Sequence, residues 1–273
     1  MYSRHLLIAA ALLLAAASGG WFLLNDTTIE AVESVAPLPV PPVPPRIATG
    51  LEYERCLGLL TSEPESAAAF ARAWGERGGG EPAQHCLALS RIALGEPAPA
   101  ADQLERLAGA SASPPATRAA LLEQATQAWL MAGNPTRARM AATYALALTP
   151  DDPALLIERA TASAQLEQHG DAVADLAQAL RLDPRRADAL ALRAASLRQL
   201  DRIAEARADI EAALSLDPDN PEALLERGIL RQRTRDDAGA RADWDRVIAL
   251  APDTATADLA RQNLALLEAG PSR

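Results

Sequence analysis

Apolar positions recur along most of the chain with a helical period, and one pattern of them returns every 34 residues between residues 119 and 254. Leucine fills the fourth position of each unit and closes the apolar pattern at the thirtieth. These leucines are Leu122, Leu156, Leu190 and Leu224, followed by Leu148, Leu182, Leu216 and Leu250. Because residues spaced three and four apart share one helix face, each unit is predicted to contain two helices.

Small residues stand where two antiparallel helices of one unit would meet. The eighth position holds Thr126, Ala160, Ala194 and Gly228, and the twentieth holds Ala138, Ala172, Ala206 and Ala240. The larger residues of position 24 are Leu176, Ile210 and Trp244, with Ala142 in the first unit. A proline at position 32 ends each second helix, because it cannot continue the helical hydrogen bonds. The units are therefore 119–152, 153–186, 187–220 and 221–254.

The starts of the units carry helix-initiating residues. Asp152, Asn220 and Thr254 are suitable N-caps, and Pro153 and Pro221 occupy the first helical position, where a missing amide hydrogen costs little. With small residues at positions 8, 20 and 27 and proline at 32, the pattern resembles the tetratricopeptide repeat. The resemblance implies an all-α solenoid of antiparallel helix pairs over about half of the chain, and it concerns the fold rather than an activity.

Positions 7 and 23 depart from that family by carrying opposite charges. The series consists of Arg159, Arg193 and Arg227 at position 7 and Asp175, Asp209 and Asp243 at position 23. The first unit has Ala125 and Ala141 instead, so it lacks both charges together. Since the two positions lie at similar depth on the two helices, each arginine is predicted to face its own or a neighbouring aspartate in a ladder of structural ion pairs. The alternative of an anion-binding row is less favoured, because the aspartates would neutralise it.

The resemblance also implies a concave surface, lined by the first helix of each repeat. Its expected residues are Glu123, Gln127, Leu130, Met131, Ile157, Thr161, Gln165, Asp188, Ala191, Arg198, Gln199, Glu222, Leu225, Ile229, Gln232 and Arg233. This surface is part apolar and part polar. Some members of the family clamp a terminal carboxylate with Lys and Asn at positions 5 and 9. Those positions carry no basic residue here, so an extended or helical segment with apolar anchors is the expected ligand.

The N-terminal segment 1–24 predicts export. Arg4 precedes a run without charge at 6–24, and acidic residues follow from Asp26 onward, so the N-terminus should stay in the cytoplasm. Small residues at 15–17 offer a cleavage site. The uncleaved run would instead span roughly 28 Å as a helix and anchor the protein in the inner membrane. Both outcomes remain open.

A proline-rich linker, 25–49, follows, with its run of prolines predicted as an extended spacer. Residues 50–118 are predicted to hold short N-terminal helices and a degenerate repeat at 81–114, and 255–273 a capping helix and tail. The two cysteines, Cys56 and Cys86, lie in the N-terminal part. In an oxidising compartment they are expected to form a disulfide, with two buried thiols as the alternative.

Composition and charge argue against some classes of function. The net charge is −10, so nucleic acid is an unfavourable partner. No nucleophile, base and orienting group can be combined from the sequence, and the three histidines, His5, His85 and His169, are far apart. An enzyme is therefore not predicted, and neither a cofactor nor a metal site is proposed. All basic residues are arginines, a bias typical of GC-rich bacterial genomes, for which export means the periplasm.

The sequence thus favours a non-enzymatic interaction scaffold on the periplasmic side of the cell envelope, binding a partner protein or peptide on its concave surface. Two alternatives remain. One is a chaperone or maturation factor for exported substrates, as in cytochrome c assembly, and the other is a structural tether within the envelope.

Overall fold

The computed structural model describes residues 46–269, and this part of the chain folds entirely into helices and their connections. The segment predicted to direct export, 1–24, and most of the linker lie outside the described residues. The helices are α1 (Leu51–Leu59), α2 (Pro64–Glu76), α3 (Gly80–Ala93), α4 (Pro97–Ala110), α5 (Pro115–Met131), α6 (Pro135–Leu148), α7 (Pro153–Gln165), α8 (His169–Leu182), α9 (Ala187–Gln199), α10 (Ile203–Leu216), α11 (Pro221–Arg233), α12 (Asp237–Leu250) and α13 (Ala255–Ala269).

The helices pack as successive antiparallel pairs. Each of the four predicted units contains one pair, from α5 with α6 to α11 with α12, and α3 with α4 forms a further pair before them. Two boundaries differ from the sequence prediction. α5 begins at Pro115, before the first unit, and Ile47, which was placed in the linker, packs against the core. None of the helices within 46–269 is long and apolar enough to cross a membrane.

Side-chain N-caps satisfy backbone donors at the starts of α7, α11 and α13. Asp152 accepts hydrogen bonds from the backbone N–H groups of Ala154 and Leu155, at 2.9 and 3.3 Å. Asn220 accepts one from Ala223 at 2.9 Å, and the Thr254 hydroxyl accepts one from Ala257 at 3.3 Å. These bonds satisfy backbone donors that have no partner inside the helix, so the unit boundaries are encoded locally.

The turn between the two helices of each pair places one residue in the left-handed region. Position 15 of the units is Gly133, Glu167, Asp201 and Arg235, with φ of 66°, 59°, 57° and 63°. Glycine adopts this conformation without strain, whereas each of the three other residues bears about 1 kcal/mol or more of unfavourable backbone energy. The turn geometry is therefore imposed by the packing of the helix pair rather than by the turn residue.

The core of each pair is filled by residues of complementary size at positions 8 and 24. The pairs are Thr126 with Ala142, Ala160 with Leu176, Ala194 with Ile210, and Gly228 with Trp244, and all of these residues are buried. The largest side chain faces the smallest residue. The Trp244 indole N–H donates to the backbone oxygen of Leu225 at 3.2 Å, which fixes the ring against α11.

The N-terminal helices are joined to the array by a disulfide and a buried polar chain. Cys56 of α1 is bonded to Cys86 of α3, with the Cα atoms 6.3 Å apart. Beside it, the Tyr53 hydroxyl lies 2.7 Å from Nδ1 of His85, and Nε2 of His85 lies 2.6 Å from the side-chain oxygen of Gln124 on α5. Closing the 30-residue separation by a disulfide contributes about 3 to 4 kcal/mol in the chain-entropy account.

His85 is buried and serves this contact between helices. Its surroundings lower its pKa to about 4, chiefly because burial disfavours the charged ring. A neutral ring fits the hydrogen bonds, since Nε2–H can donate to Gln124 while Nδ1 accepts from Tyr53. The same hydroxyl accepts from the backbone N–H of Ile47 at 3.4 Å, so the chain of bonds reaches the start of the described residues.

Candidate protein-binding surface

One face of the array is formed by the first helices of the pairs. α5, α7, α9, α11 and α13 contact one another in sequence, whereas contacts between successive second helices are weaker. The first helices are therefore closer together from unit to unit, which makes their face the inner side of the curved array. We call this face, defined by those five helices, the concave surface.

The apolar residues predicted for the concave surface are mostly half-buried. Leu130, Met131 and Ile157 pack against the core cluster of the N-terminal half, and Ile229 packs against that of α11 to α13. Leu225 is different. It is only 7 % exposed and belongs to the core with Trp244, so the structure removes it from the set of accessible anchors.

Several polar residues predicted for this surface are engaged within the protein. Arg198 of α9 binds Glu226 of α11 through two hydrogen bonds of 2.7 and 3.2 Å, so it joins two repeats rather than presenting a free cation. Asp188 is paired with Arg186, and Arg233 is paired with Asp201.

Other polar residues of this surface form hydrogen bonds within the protein. Glu222 accepts a hydrogen bond from the Thr256 hydroxyl. Thr161 donates to the backbone oxygen of Ile157, and Gln127 donates to Glu158. Gln165 is exposed and Gln232 is half-buried.

The last helix adds two residues that the sequence analysis assigned only to a cap. Leu259 and Leu266 of α13 are 49 % and 67 % exposed, at positions 5 and 12 counted from residue 255. These are positions of the concave surface. By contrast, the positions that would face a second helix carry Asp258, Arg261 and Gln262, all exposed. α13 therefore presents polar residues to solvent on the side where a further helix would pack, and it extends the concave surface with apolar residues.

Two glutamates, Glu123 of α5 and Glu158 of α7, lie on the concave surface and have raised pKa values. Burial raises the pKa of Glu158 to about 8; Gln127 lowers it by a hydrogen bond, and Glu123 and Asp152 raise it through charge repulsion. The pKa of Glu123 is also raised, first by burial and then by Asp152. Glu158 is therefore largely protonated near neutral pH, although a cation beside it would favour the carboxylate.

The predicted charge ladder lies on the side of the array, where first and second helices of one unit meet. Arg159 binds Asp175 through Nε and Nη2 at 2.8 and 2.6 Å. Arg193 binds Asp209 at 2.7 and 2.6 Å, and Arg227 binds Asp243 at 3.0 and 2.7 Å. Every pair is formed within one unit. In the last unit, Arg231 also forms a salt bridge with Asp243. Ala125 and Ala141 of the first unit are buried instead.

Replacing Arg193 by alanine is expected to destabilise the protein by about 2 kcal/mol, because the mostly buried Asp209 loses its partner. The double replacement Arg193→Ala with Asp209→Ala should cost less than the single one, since it reproduces the alanine pair of the first unit. Urea unfolding of both variants measures the two values. Arg207→Ala, which removes an exposed arginine from α10, is the control and should have little effect. A double variant less stable than the single one would contradict the ladder interpretation.

The comparison with known families agrees with this architecture. Residues 187–220 match the family described as tetratricopeptide repeat, and the helix pairs before and after them repeat the same packing. Residues 187–220 are thus a tetratricopeptide repeat, and the described residues have the fold of tetratricopeptide-repeat proteins. Such repeats generally serve as interaction scaffolds and not as catalytic domains.

Solved structures with the same fold include other tetratricopeptide-repeat proteins. PilF of Pseudomonas aeruginosa superposes with a TM-score of 0.60 over 78% of this chain and 96% of its own, at 17% identity. YrrB, a protein with an unusual peptide-binding site, gives 0.51 over 72% of this chain and 98% of its own, at 20% identity. MamA superposes with a TM-score of 0.51 over 60% of this chain and 94% of its own, at 15% identity. At these identities the likeness shows the fold alone. No curated protein sequence matches the chain.

Proposed function

We propose that this tetratricopeptide-repeat protein is a non-enzymatic scaffold on the periplasmic side of the cell envelope that holds a segment of a partner protein on its concave surface. The observation that carries the proposal is the pair of exposed leucines on α13, Leu259 and Leu266, which lie on the same surface as the half-buried Ile157 of α7 and Ile229 of α11. Two exposed leucines seven residues apart on one helix face suit an apolar or amphipathic segment.

Two other features support the periplasmic part of the proposal. The sequence of residues 1–24 has the charge distribution of an export segment, with inner-membrane anchoring through 6–24 if it is not cleaved. The bond between Cys56 and Cys86 is of the kind that persists in an oxidising compartment. The peptide-binding site of YrrB gives a precedent for ligand binding on this fold, but the identity is too low to transfer the ligand.

A crosslinked pull-down from cell envelopes with full-length protein tests the proposal, with the mass of the recovered bait measured in the same experiment. We expect one stoichiometric partner with wild type, and its loss with the double variant Leu259→Ser and Leu266→Ser. The matched control is Met140→Ser with Tyr144→Ser, which removes two exposed apolar side chains from α6, a second helix. The control should keep the partner.

Other results would assign the protein to the alternatives. A broad collection of exported proteins would favour a chaperone or maturation factor. Sedimentation with peptidoglycan that survives both double variants would favour a structural tether. The bait mass reports whether residues 1–24 were removed, so the anchor and the secreted form are distinguished in the same sample.

A further inference from the structure

Two glutamates occupy the same position in different repeats but have different partners. Glu158 is the sixth residue of repeat 153–186, and Glu226 is the sixth residue of repeat 221–254. Each lies on a first helix next to the first helix of the preceding repeat. The two sites therefore show what this position does with and without a basic neighbour.

At Glu226 the neighbour is a guanidinium group. Arg198, at position 12 of the preceding repeat, donates from Nε to Oε2 at 2.7 Å and from Nη2 to Oε1 at 3.2 Å. The side chains are 17 % and 10 % exposed, so the pair is well removed from solvent. A planar guanidinium group satisfies both oxygens of a carboxylate in this arrangement.

At Glu158 the same place holds no cation. Position 12 of the preceding repeat is Leu130, which has no donor, and the hydrogen bond to Glu158 comes from Nε2 of Gln127 to Oε1, at 2.6 Å. Oε2 of Glu158 is buried and has no hydrogen-bond partner among the described residues. A buried polar atom without a partner is unfavourable, and it marks a position where a ligand donor would be stabilising.

The surrounding charge has the sign that attracts a cation. Glu123 on α5 and Asp152 at the start of α7 both act on Glu158 by charge repulsion. Within the described residues, neither Glu158 nor Glu123 forms a salt bridge with a basic side chain. Between repeats 153–186 and 187–220 the corresponding residues are Ala164 and Leu192, so this combination of a carboxyl group and a missing arginine occurs at α5 and α7.

We propose that Glu158, with Glu123 beside it, receives the guanidinium group of an arginine side chain that a partner protein inserts into the concave surface, in the place that Arg198 takes at Glu226. This inference rests on the proposed function and specifies the chemistry of the partner segment. Arginine is preferred to lysine because its planar fork can bond both oxygens of the carboxylate at once. A small rotation about the terminal torsion of Glu158, which has a broad minimum, would turn Oε2 toward the incoming group.

Titration with arginine amide tests the inference without the unknown partner, since this molecule carries a guanidinium group and no carboxylate. In wild type, the side-chain carboxyl resonance of Glu158 should shift in a saturable way. The dissociation constant, followed in every variant through the backbone amide resonances of α5 and α7, should rise by about tenfold or more in Glu158→Gln, because the amide cannot form the charge-assisted pair. Citrulline amide, which keeps the α-amino group but has an uncharged side chain, should give no saturable shift.

A second variant supplies the missing group from within the chain. Leu130→Arg places an arginine where Arg198 stands relative to Glu226, so it should pair with Glu158 and abolish the response to arginine amide. Equal binding of arginine amide by wild type, Glu158→Gln and Leu130→Arg would overturn the inference, and so would the absence of a shift in wild type. Glu158 would then be a protonated core residue. The scaffold function would stand or fall separately, because the envelope pull-down does not depend on this titration.

Discussion

Alanine in place of Gly228 is expected to destabilise the protein by about 2 to 3 kcal/mol, because a methyl group at this site overpacks the core. A Cβ atom built on Gly228 would lie 2.7 Å from Cδ1 of Trp244, and the ring cannot retreat because it is fully buried. The usual gain in helix propensity from glycine to alanine, about 1 kcal/mol, would not compensate. Thermal and urea unfolding measure the loss.

The control for this change is Gly170→Ala in α8. A Cβ atom built there meets nothing within 4 Å, so the same substitution should be neutral or slightly stabilising. A second comparison combines Gly228→Ala with Trp244→Ile, which reproduces the Ala194 and Ile210 pair of the preceding repeat. This double variant should be more stable than the sum of its single changes predicts. Strict additivity would show that the two residues are not coupled by packing.

Acidification from pH 7 to pH 4 is expected to lower the free energy of unfolding of the wild type by about 3 kcal/mol more than that of a variant in which His85 is replaced. The pKa of His85 is about 4 in the folded protein and near 6.5 in an unfolded chain. Between these values the unfolded state binds more protons, so stability falls as pH falls through the window from about 6.5 to about 4. In the neutral ring, Nδ1 accepts a hydrogen bond from the Tyr53 hydroxyl. Protonation would turn Nδ1 into a donor and so disrupt this bond.

Urea unfolding of wild type and His85→Gln across that range measures the effect, with their difference plotted against pH. The comparison is necessary because Glu158, with its raised pKa, contributes in the opposite direction: its stabilising protonated form is lost as pH rises from about 4.5 to about 8. Contributions common to both proteins cancel in the difference. A difference that does not change with pH would contradict the assignment of His85 as a neutral, hydrogen-bonded core residue.

The sequence predicted the helix pairs because their information is local and repeated. The leucines, the small residues and the terminal prolines recur at fixed positions, so the period alone identifies the solenoid. The ion pairs of the ladder follow from the same reasoning, since Arg193 and Asp209 belong to one repeat and meet across a single turn.

The candidate binding surface was harder to predict because it depends on how successive repeats are offset. Periodicity placed Arg198 on the concave surface but did not show that Glu226 of the next repeat would bind it. It also did not distinguish Leu225, which is covered by the core, from Ile229, which is not fully covered. The environment of His85 was equally hidden, because its partners lie 32 and 39 residues away in sequence.

The pairing of residues within each repeat has a consequence for how such an array can change by recombination. Gly228 with Trp244 and Arg227 with Asp243 each lie 16 residues apart inside one repeat. A crossover at a repeat boundary exchanges both partners together and yields a core that already fits. A crossover inside the turn would join, for example, Ala194 to Trp244 and bury a clash. Exchange of whole repeats therefore preserves the contacts inside each repeat, and only contacts between repeats, such as Arg198 with Glu226, have to be matched at the new boundary.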